Sequence, residues 1–428
     1  MLALPFVAMV IGLLLGVPIA FSLAGAGIFG IYLVTGNVKM IMVALGTTPF
    51  STVADYALTT IPMFVLMAYF SSSSGLAKDL FTAGANWLAH IRGGLGVATV
   101  FACGIFGAMS GASTAAASVM STIAYPEMRR HGYSEELAAG TVGIGATLDL
   151  LIPPSVAMVI YGIATQTSIA KLLIAGVVPG AVTGIFLAVA VFVWVRVRPQ
   201  DAPETYRVPM AERWASVRRI WPSLLLIFIV MVLLYTGIVT PTEVGAIGAF
   251  LACVIGAVFG RLTVPGTFQS LKMTIRTCTM LFMILIGAGI FGIFMTLSRV
   301  PQHLVAVITD MNLNRWVVII GIVIAYFVIS MFMDEIPLLL ITLQLTFPLI
   351  TRLGFDPIWF GVLSMMMVCM GLVFPPVGVV AFVVSATTKV NLVKVCTGTS
   401  VLMTAIIITT ILMMIFPEMA TWLPATMR

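Results

Sequence analysis

Charge is what this sequence has least of: Asp, Glu, Lys and Arg make up 8% of 428 residues, against 61% hydrophobic residues. That fraction excludes an ordinary soluble domain, in which about a quarter of the residues are charged. Histidine is scarce, and His90, His131 and His303 sit in or beside polar loops, so no imidazole cluster lies within an apolar segment to hold a metal. Cys103, Cys253, Cys278, Cys369 and Cys396 form no CxxC pair and read as small buried hydrophobes, which argues against redox chemistry and an organic cofactor. No Lys or Arg precedes the apolar run starting at Leu2, so that segment is expected to be kept as structure rather than cleaved as a signal. The net charge of +6 is scattered over short loops instead of one face, which argues against nucleic acid as a partner.

What the sequence has is apolar length. Segments run at about 2–34, 41–70, 95–125, 137–166 and 171–197, then 223–260, 273–298, 316–350, 358–386 and 394–416. Each exceeds the roughly 20 residues that span hydrocarbon, which defines an all-α polytopic membrane protein surrounded by lipid. The one long polar stretch, Arg196 to Trp221, carries Arg196, Arg198, Arg207, Arg213, Arg218 and Arg219 and is expected to face the cytoplasm. It divides the chain into 1–198, a basic linker at 199–222, and 223–428. An uncharged N-terminus opposite that linker implies an odd number of crossings per half, with the N-terminus and the tail after Phe416 both outside.

The halves repeat. Pro126, Gly132-Tyr133 and Pro153-Pro154 map onto Pro348, Gly354-Phe355 and Pro375-Pro376 with one offset of 222, which also carries Ala164-Thr165 to Ala386-Thr387 and Gly176 to Gly398. A gap-free register of this kind reads as an internal duplication. With odd parity the copies are inverted, an architecture common among secondary transporters.

Each copy contains a prolyl pair inside an apolar segment, at about 137–166 and 358–386. Proline removes a backbone donor and disfavours helix in the residue before it, so both segments are expected to be broken helices. Unpaired backbone is tolerated in a bilayer only where it is buried in protein or lines a cavity, and there it ligates ions. The carbonyls near Asp149, Ile152 and Ser155, and near Gly371, Phe374 and Val377, are expected to be free. Upstream of each break lies a segment read as a re-entrant hairpin, at about 95–125 and 316–350. The first has small and hydroxyl residues from Gly107 to Ala115 at its tip, which alternatively form a helix-packing face. The second has Asp334 and Glu335 at its tip, carboxylates that are costly in lipid unless paired or ion-bound, or that alternatively cap a helix at the interface. Asp149 is either an ion ligand or a carboxylate satisfied by nearby amides.

These residues group into two symmetry-related cation sites. The first comprises Ser110, Gly111, Ser113, Asp149, Ile152 and Ser155; the second comprises Asp334, Gly371, Phe374 and Val377. Hard oxygen ligands suit Na⁺ as a coupling ion, with lithium or a proton as the alternatives. The positive ends of the half-helices attract an anion, so a substrate carboxylate or sulfonate is expected against Ser113, Thr114, Pro154, Ser155 and Pro376. Ser71 to Gly75 reads as a helix end and hinge, and Leu262 to Thr279, with Lys272 and Arg276, as an interfacial arm.

Taken in order, Gly16-Val17-Pro18, Ile61-Pro62-Met63-Phe64, Met109-Ser110-Gly111-Ala112-Ser113, Pro126-x-Met128 with Gly132-Tyr133, and Ile152-Pro153-Pro154-Ser155 form a specific pattern. It continues through Ala175-Gly176, Pro179-Gly180, Thr240-Pro241-Thr242-Glu243, Met333-Asp334 and Pro375-Pro376-x-Gly378. Over nearly its full length the chain resembles the large membrane subunit of tripartite ATP-independent periplasmic (TRAP) transporters, the DctM/SiaM type. The resemblance implies an elevator-type carrier with a scaffold and a mobile hairpin-bearing domain. It also implies Na⁺-coupled uptake of an organic acid, such as a C4-dicarboxylate, sialic acid or a small sulfonate, across the bacterial inner membrane. The implied partners are a soluble periplasmic substrate-binding protein and a small four-helix membrane subunit. The sequence departs from the family at Asp149, where Gly is usual, and at Phe374, where Thr is usual. A carbonyl ligand survives both changes, but a side-chain ligand is lost at the second site and a negative charge enters near the first.

An intramembrane enzyme and a passive anion channel are the competing readings. A serine protease would need a membrane histidine, which the sequence lacks, and an aspartyl protease would need Asp149 and Asp334 face to face. A channel has no use for paired broken-helix cation sites.

Overall fold

Proline and glycine decide where these apolar segments stop being helical. The computed structural model describes residues 3–202, 205–259, 261–311 and 313–427, and these are helical with no strand among them. Six of the described helices are long and apolar enough to cross a membrane, or seven with the bent pair Val38–Val53 and Tyr56–Ser73 counted as one span.

Several segments are more divided than hydropathy alone suggests. The run at 2–34 folds as Leu4–Leu14 and Ile19–Thr35, separated at Gly16-Val17-Pro18, with Pro18 as the N-cap of the second helix. The run at 41–70 bends by 54° at Ala54-Asp55, where the Asp55 side chain accepts from the Ala57 amide and starts a new turn. The stretch at 262–279 is no separate arm: it is the first half of a continuous helix, Val264–Ser298. The linker is only partly extended, since Met210–Thr236 is one helix that takes in Arg213, Arg218 and Arg219. The stretch ahead of that helix, which begins with a 3₁₀ turn at Pro199–Asp201, is pinned to the first half. The Ser134 amide donates to the Asp201 carbonyl (2.9 Å), Trp194 Nε1 donates to Asp201 Oδ2 (2.7 Å), and Tyr206 stacks on His131 (4.2 Å).

Both hairpin regions fold as helix-turn-helix units, Gly94–Ser110 with Ser113–Arg130, and Arg315–Ser330 with Glu335–Arg352. Their second arms keep the repeat register at both ends, since 335 − 113 and 352 − 130 both equal 222. The prolyl pairs interrupt the next helix in each half. Glu135–Ala146 gives way to a short 3₁₀ turn and resumes as Val156–Thr165; Pro357–Gly371 resumes as Val379–Thr388.

These broken helices form the centre of the molecule. From Leu137 to Ala146 and from Trp359 to Gly371 every residue is buried, as expected of helices that are apolar on all faces. Gly140 of the first broken helix meets Gly398 of Leu392–Leu402 main chain to main chain: a Cβ on Gly140 would lie 2.7 Å from the Gly398 carbonyl carbon. The flanking helices use the same device, with a Cβ on Gly27 falling 2.8 Å from the Phe291 amide of the long helix.

Replacing Gly398 by Leu is therefore expected to lower the thermal midpoint of the purified protein, overpacking of this kind costing about 1–3 kcal/mol. Leucine at the neighbouring, exposed Thr397 should leave the midpoint in place, which a melting curve in detergent would check.

Candidate ion and substrate site

Each hairpin tip seats on the break of its own half. In the first half the tip turns at Gly111, whose φ of +62° suits glycine, and a Cβ there would come within 2.9 Å of Val156 Cγ2. Ser113 begins the second arm, is fully buried, and donates from Oγ to Asp149 Oδ1 at 2.7 Å. Asp149 fits because Gly107 lies beneath it, where a Cβ would be 2.7 Å from Asp149 Cβ. In the second half the Gly378 amide donates to the Met331 carbonyl (3.1 Å), and Ser330 Oγ donates to the Met367 carbonyl (3.3 Å). Gly371 leaves the space that Ser330 fills, since a Cβ there would overlap Ser330 Oγ.

The structure therefore brings Ser113 and Asp149 into contact and lays Gly111 against the first break. Ser110 instead donates to the Gly107 carbonyl of its own helix (3.2 Å). The Ile152 side chain packs against Gly104 and Gly180. Two carbonyls expected to be free are engaged. Ser155, as the N-cap of Val156–Thr165, accepts from the Val159 amide (3.2 Å), the ordinary role of an N-cap carbonyl. Gly371 accepts from the Phe374 amide (3.2 Å), because the chain tightens ahead of Pro375. Each keeps a second lone pair. Among the described residues no N–H or O–H is bonded to the carbonyls of Asp149, Ile152, Phe374 or Val377. For Asp149 the cause is direct: the residue four positions on is Pro153, which has no amide hydrogen.

The two breaks differ in exposure. Pro153, Pro154 and Ser155 are buried, whereas Pro375 and Pro376 are exposed and Val377 is 40% exposed. Phe374 packs its ring on Phe327, 5.3 Å between centroids. Pro376 lines a groove with Leu392, Cys396 and Ser400, away from the hairpin tips.

A cavity of about 200 Å³ lies between the tips and two flanking helices, Thr60–Ser73 and Val264–Ser298. Ser110, Gly111 and Thr114 reach it from the first tip, Asp334 and Glu335 from the second, and Tyr69, Ser72 and Thr277 from the flanking helices. Tyr69 and Thr277 hydroxyls are 2.8 Å apart across one wall. Of the residues expected to line the substrate, Thr114 is here, while Ser113, Pro154, Ser155 and Pro376 are not. Tyr69 is not singled out by the sequence, and Ser72 and Thr277 are read there only as part of a hinge and of an interfacial arm, because each sits in a helix with no break. Their only signal is a hydroxyl facing inward from an apolar run.

The electrostatics are one-sided. Asp149 is 1% and Glu335 4% exposed, and Asp149 Oδ2, Asp334 Oδ1 and Glu335 Oε2 are buried without a hydrogen-bond partner. Asp334 occupies the N-cap position of Glu335–Arg352, but its side chain makes no capping bond. The three carboxyls lie within range of one another's charge, an arrangement that a low-dielectric interior tolerates only with protons or cations present. Among the described residues no three His, Cys, Asp or Glu side chains form a metal-holding cluster, so a cation here would be held chiefly by carbonyl and hydroxyl oxygens.

Broken helices and paired hairpins around a shared cavity that carries carboxylates and hydroxyls define a membrane carrier of the secondary-transporter class. Residues 6–419 match the family described as "Tripartite ATP-independent periplasmic transporter, DctM component", and the chain belongs to this family of multi-pass membrane permeases. It is 36% identical over 344 residues to the C4-dicarboxylate TRAP transporter large permease protein DctM of Pseudomonas aeruginosa, covering 80% of each chain. It is 30% identical to the ectoine TRAP transporter large permease protein TeaC of Halomonas elongata (97% of each chain), and 28% to the sialic acid protein SiaM of Vibrio cholerae (86% of each). These relatives are named as transporter subunits, which sets aside the intramembrane enzyme. The fold is also that of the Alcanivorax borkumensis YdaH transporter, with a TM-score of 0.61 at 15% identity over 90% of this chain and 89% of the other.

Removing the Ser113 hydroxyl strands Asp149 Oδ1. Ser113→Ala is expected to lower unfolding stability by about 1–3 kcal/mol, and Ser113→Thr by less, as read from thermal unfolding in detergent.

Proposed function

We propose that this chain is the permease subunit that imports a small organic acid across the bacterial inner membrane, driven by inward Na⁺ movement. The observation that carries this reading is the meeting of each hairpin tip with a helix break that leaves carbonyl oxygens unpaired, beside one cavity shared by both tips. In the first half Na⁺ would be held by the carbonyls of Asp149 and Ile152, the second lone pair of the Ser155 carbonyl, and the Ser110–Ser113 turn. In the second it would be held by Asp334 with the carbonyls of Gly371, Phe374 and Val377. These are hard oxygen donors, matched to a hard monovalent ion. Sodium near Asp149 and Asp334 would offset carboxylate charge that otherwise opposes an acidic substrate.

The cavity's lining supports an elevator reading in which its walls would belong to two bodies. The tips come from the hairpin bundle, and the opposite wall from Thr60–Ser73 and Val264–Ser298. A sliding bundle would carry ion and substrate together past a fixed wall. The N-terminus is assigned to the periplasm and the arginine-bearing linker to the cytoplasm. A soluble periplasmic binding protein would deliver the substrate, and a small membrane subunit would complete the complex, as the tripartite family description implies. Relatives named for C4-dicarboxylates, ectoine, sialic acid and isethionate support a cargo among small organic acids and related polar solutes.

In proteoliposomes containing both membrane subunits and the binding protein, uptake should require an inward Na⁺ gradient. Asp334→Ala should abolish it while leaving insertion and yield intact. Uptake of equal rate in potassium, or an Asp334→Ala protein with wild-type sodium dependence, would refute the coupling. Omitting the binding protein should reduce uptake at least tenfold, and rapid uptake of free substrate without it would contradict the three-part assembly.

A further inference from the structure

Resting on that reading, the cavity's charge narrows the cargo. Two carboxylates, Asp334 and Glu335, line the cavity from the second tip, and among the described residues no Lys, Arg or His lines it. A site built for a dianion would be expected to offer a guanidinium or ammonium to at least one end. This one offers the reverse. Asp334 is already claimed by the second sodium site, but Glu335 belongs to neither site. It is 4% exposed, faces the cavity, and leaves Oε2 without a partner. A carboxylate this deeply buried, with one oxygen left unpartnered, is strongly unfavourable until a donor or a cation reaches it.

The repeat sharpens the point. Position 335 of the second copy corresponds to position 113 of the first (335 − 113 = 222), where the residue is Ser113 and its hydroxyl is spent on Asp149. The two tips that face each other are thus unlike. The first presents the Thr114 hydroxyl, the Ser110 hydroxyl already donating to the Gly107 carbonyl, and across the cavity stand the Tyr69 and Thr277 hydroxyls, one of which donates to the other; the second presents negative charge. Hydroxyl donors suit a carboxylate, and Glu335 suits an ammonium or amidinium. At about 200 Å³ the cavity is also smaller than the roughly 300–1,000 Å³ of typical drug-sized ligand pockets.

We infer that the cargo is a compact zwitterion: a carboxylate held by the hydroxyl-lined first tip and a cationic nitrogen held by Glu335, which makes Glu335 the specificity-determining residue. A dicarboxylate of the same length would set its second carboxylate against Glu335, and a nine-carbon sugar acid would exceed the space.

Succinate and γ-aminobutyrate test this, being four-carbon chains in which the fourth carbon is a carboxylate in one and a methylene bearing an ammonium in the other. Binding of each to the purified full-length chain in nanodiscs would be titrated calorimetrically in saturating NaCl, with glycine betaine as a second zwitterion. The expected result is at least tenfold tighter binding of a zwitterion than of succinate. Glu335→Gln should shrink that ratio at least tenfold, and Glu335→Asp should retain most of it. Succinate binding as tightly as both zwitterions, no zwitterion binding at all, or a Glu335→Gln protein whose affinity falls equally for every probe would overturn the inference. None of these results bears on sodium coupling, which is read separately from stabilisation of the ligand-free protein by Na⁺ over K⁺. Loss of that stabilisation would count against the proposed function instead.

Discussion

A bilayer supplies no water to an unpaired amide or carbonyl, and the architecture of this protein follows from how it handles the backbone freed at two prolyl pairs. Each break is closed by something brought from elsewhere. The Leu372 carbonyl, whose helical partner would be Pro376, accepts instead from the Val380 amide across the gap (2.9 Å). The Val373 carbonyl accepts from Thr399 Oγ1 (2.8 Å), and the Gly378 amide finds the Met331 carbonyl on the hairpin. What is left after these repairs is a small set of oxygens beside the hairpin tips. The hairpins are thus the cover that makes a broken helix tolerable in lipid.

The duplication preserves backbone and redistributes charge. The second arms of the hairpins repeat in register, yet Asp149 corresponds to Gly371 and Ser113 to Glu335 (371 − 149 and 335 − 113 both give 222). In the first copy the acid sits on the broken helix and the hydroxyl on the hairpin. In the second the broken helix has no side chain at that point and the acid has moved to the hairpin. Packing follows the exchange: Gly107 makes room for Asp149 on one side, and Gly371 makes room for Ser330 on the other.

Much of this was legible in the sequence, and the parts that were not share a cause. Prolyl pairs announce themselves because proline acts locally on its own helix, so both breaks and the register between halves could be read from position alone. Asp334 and Asp149 stood out because a carboxylate in an apolar run is expensive. Tyr69 and Thr277 did not, since a hydroxyl in a helix can satisfy itself on a carbonyl one turn back, and only tertiary packing decides whether it also faces a cavity. The bend at Ala54-Asp55 and the unbroken course of Val264–Ser298 went unread for a similar reason: hydropathy reports burial and is nearly blind to direction. The opposite exposure of the two prolyl pairs has no counterpart in their residues and belongs to how the halves are assembled.

The crossing of Gly140 and Gly398 carries a mechanical implication. Where main chain rests on main chain there is no side chain to change rotamer, so the contact cannot creep by small adjustments; it either holds or separates. It joins a helix of the first copy to one of the second at the heart of the bundle, in the manner of a rivet through two plates. Other surfaces of the bundle are faced instead by bulky, flexible side chains, such as Met280 and Phe332 in the groove beside the second tip, which can change rotamer.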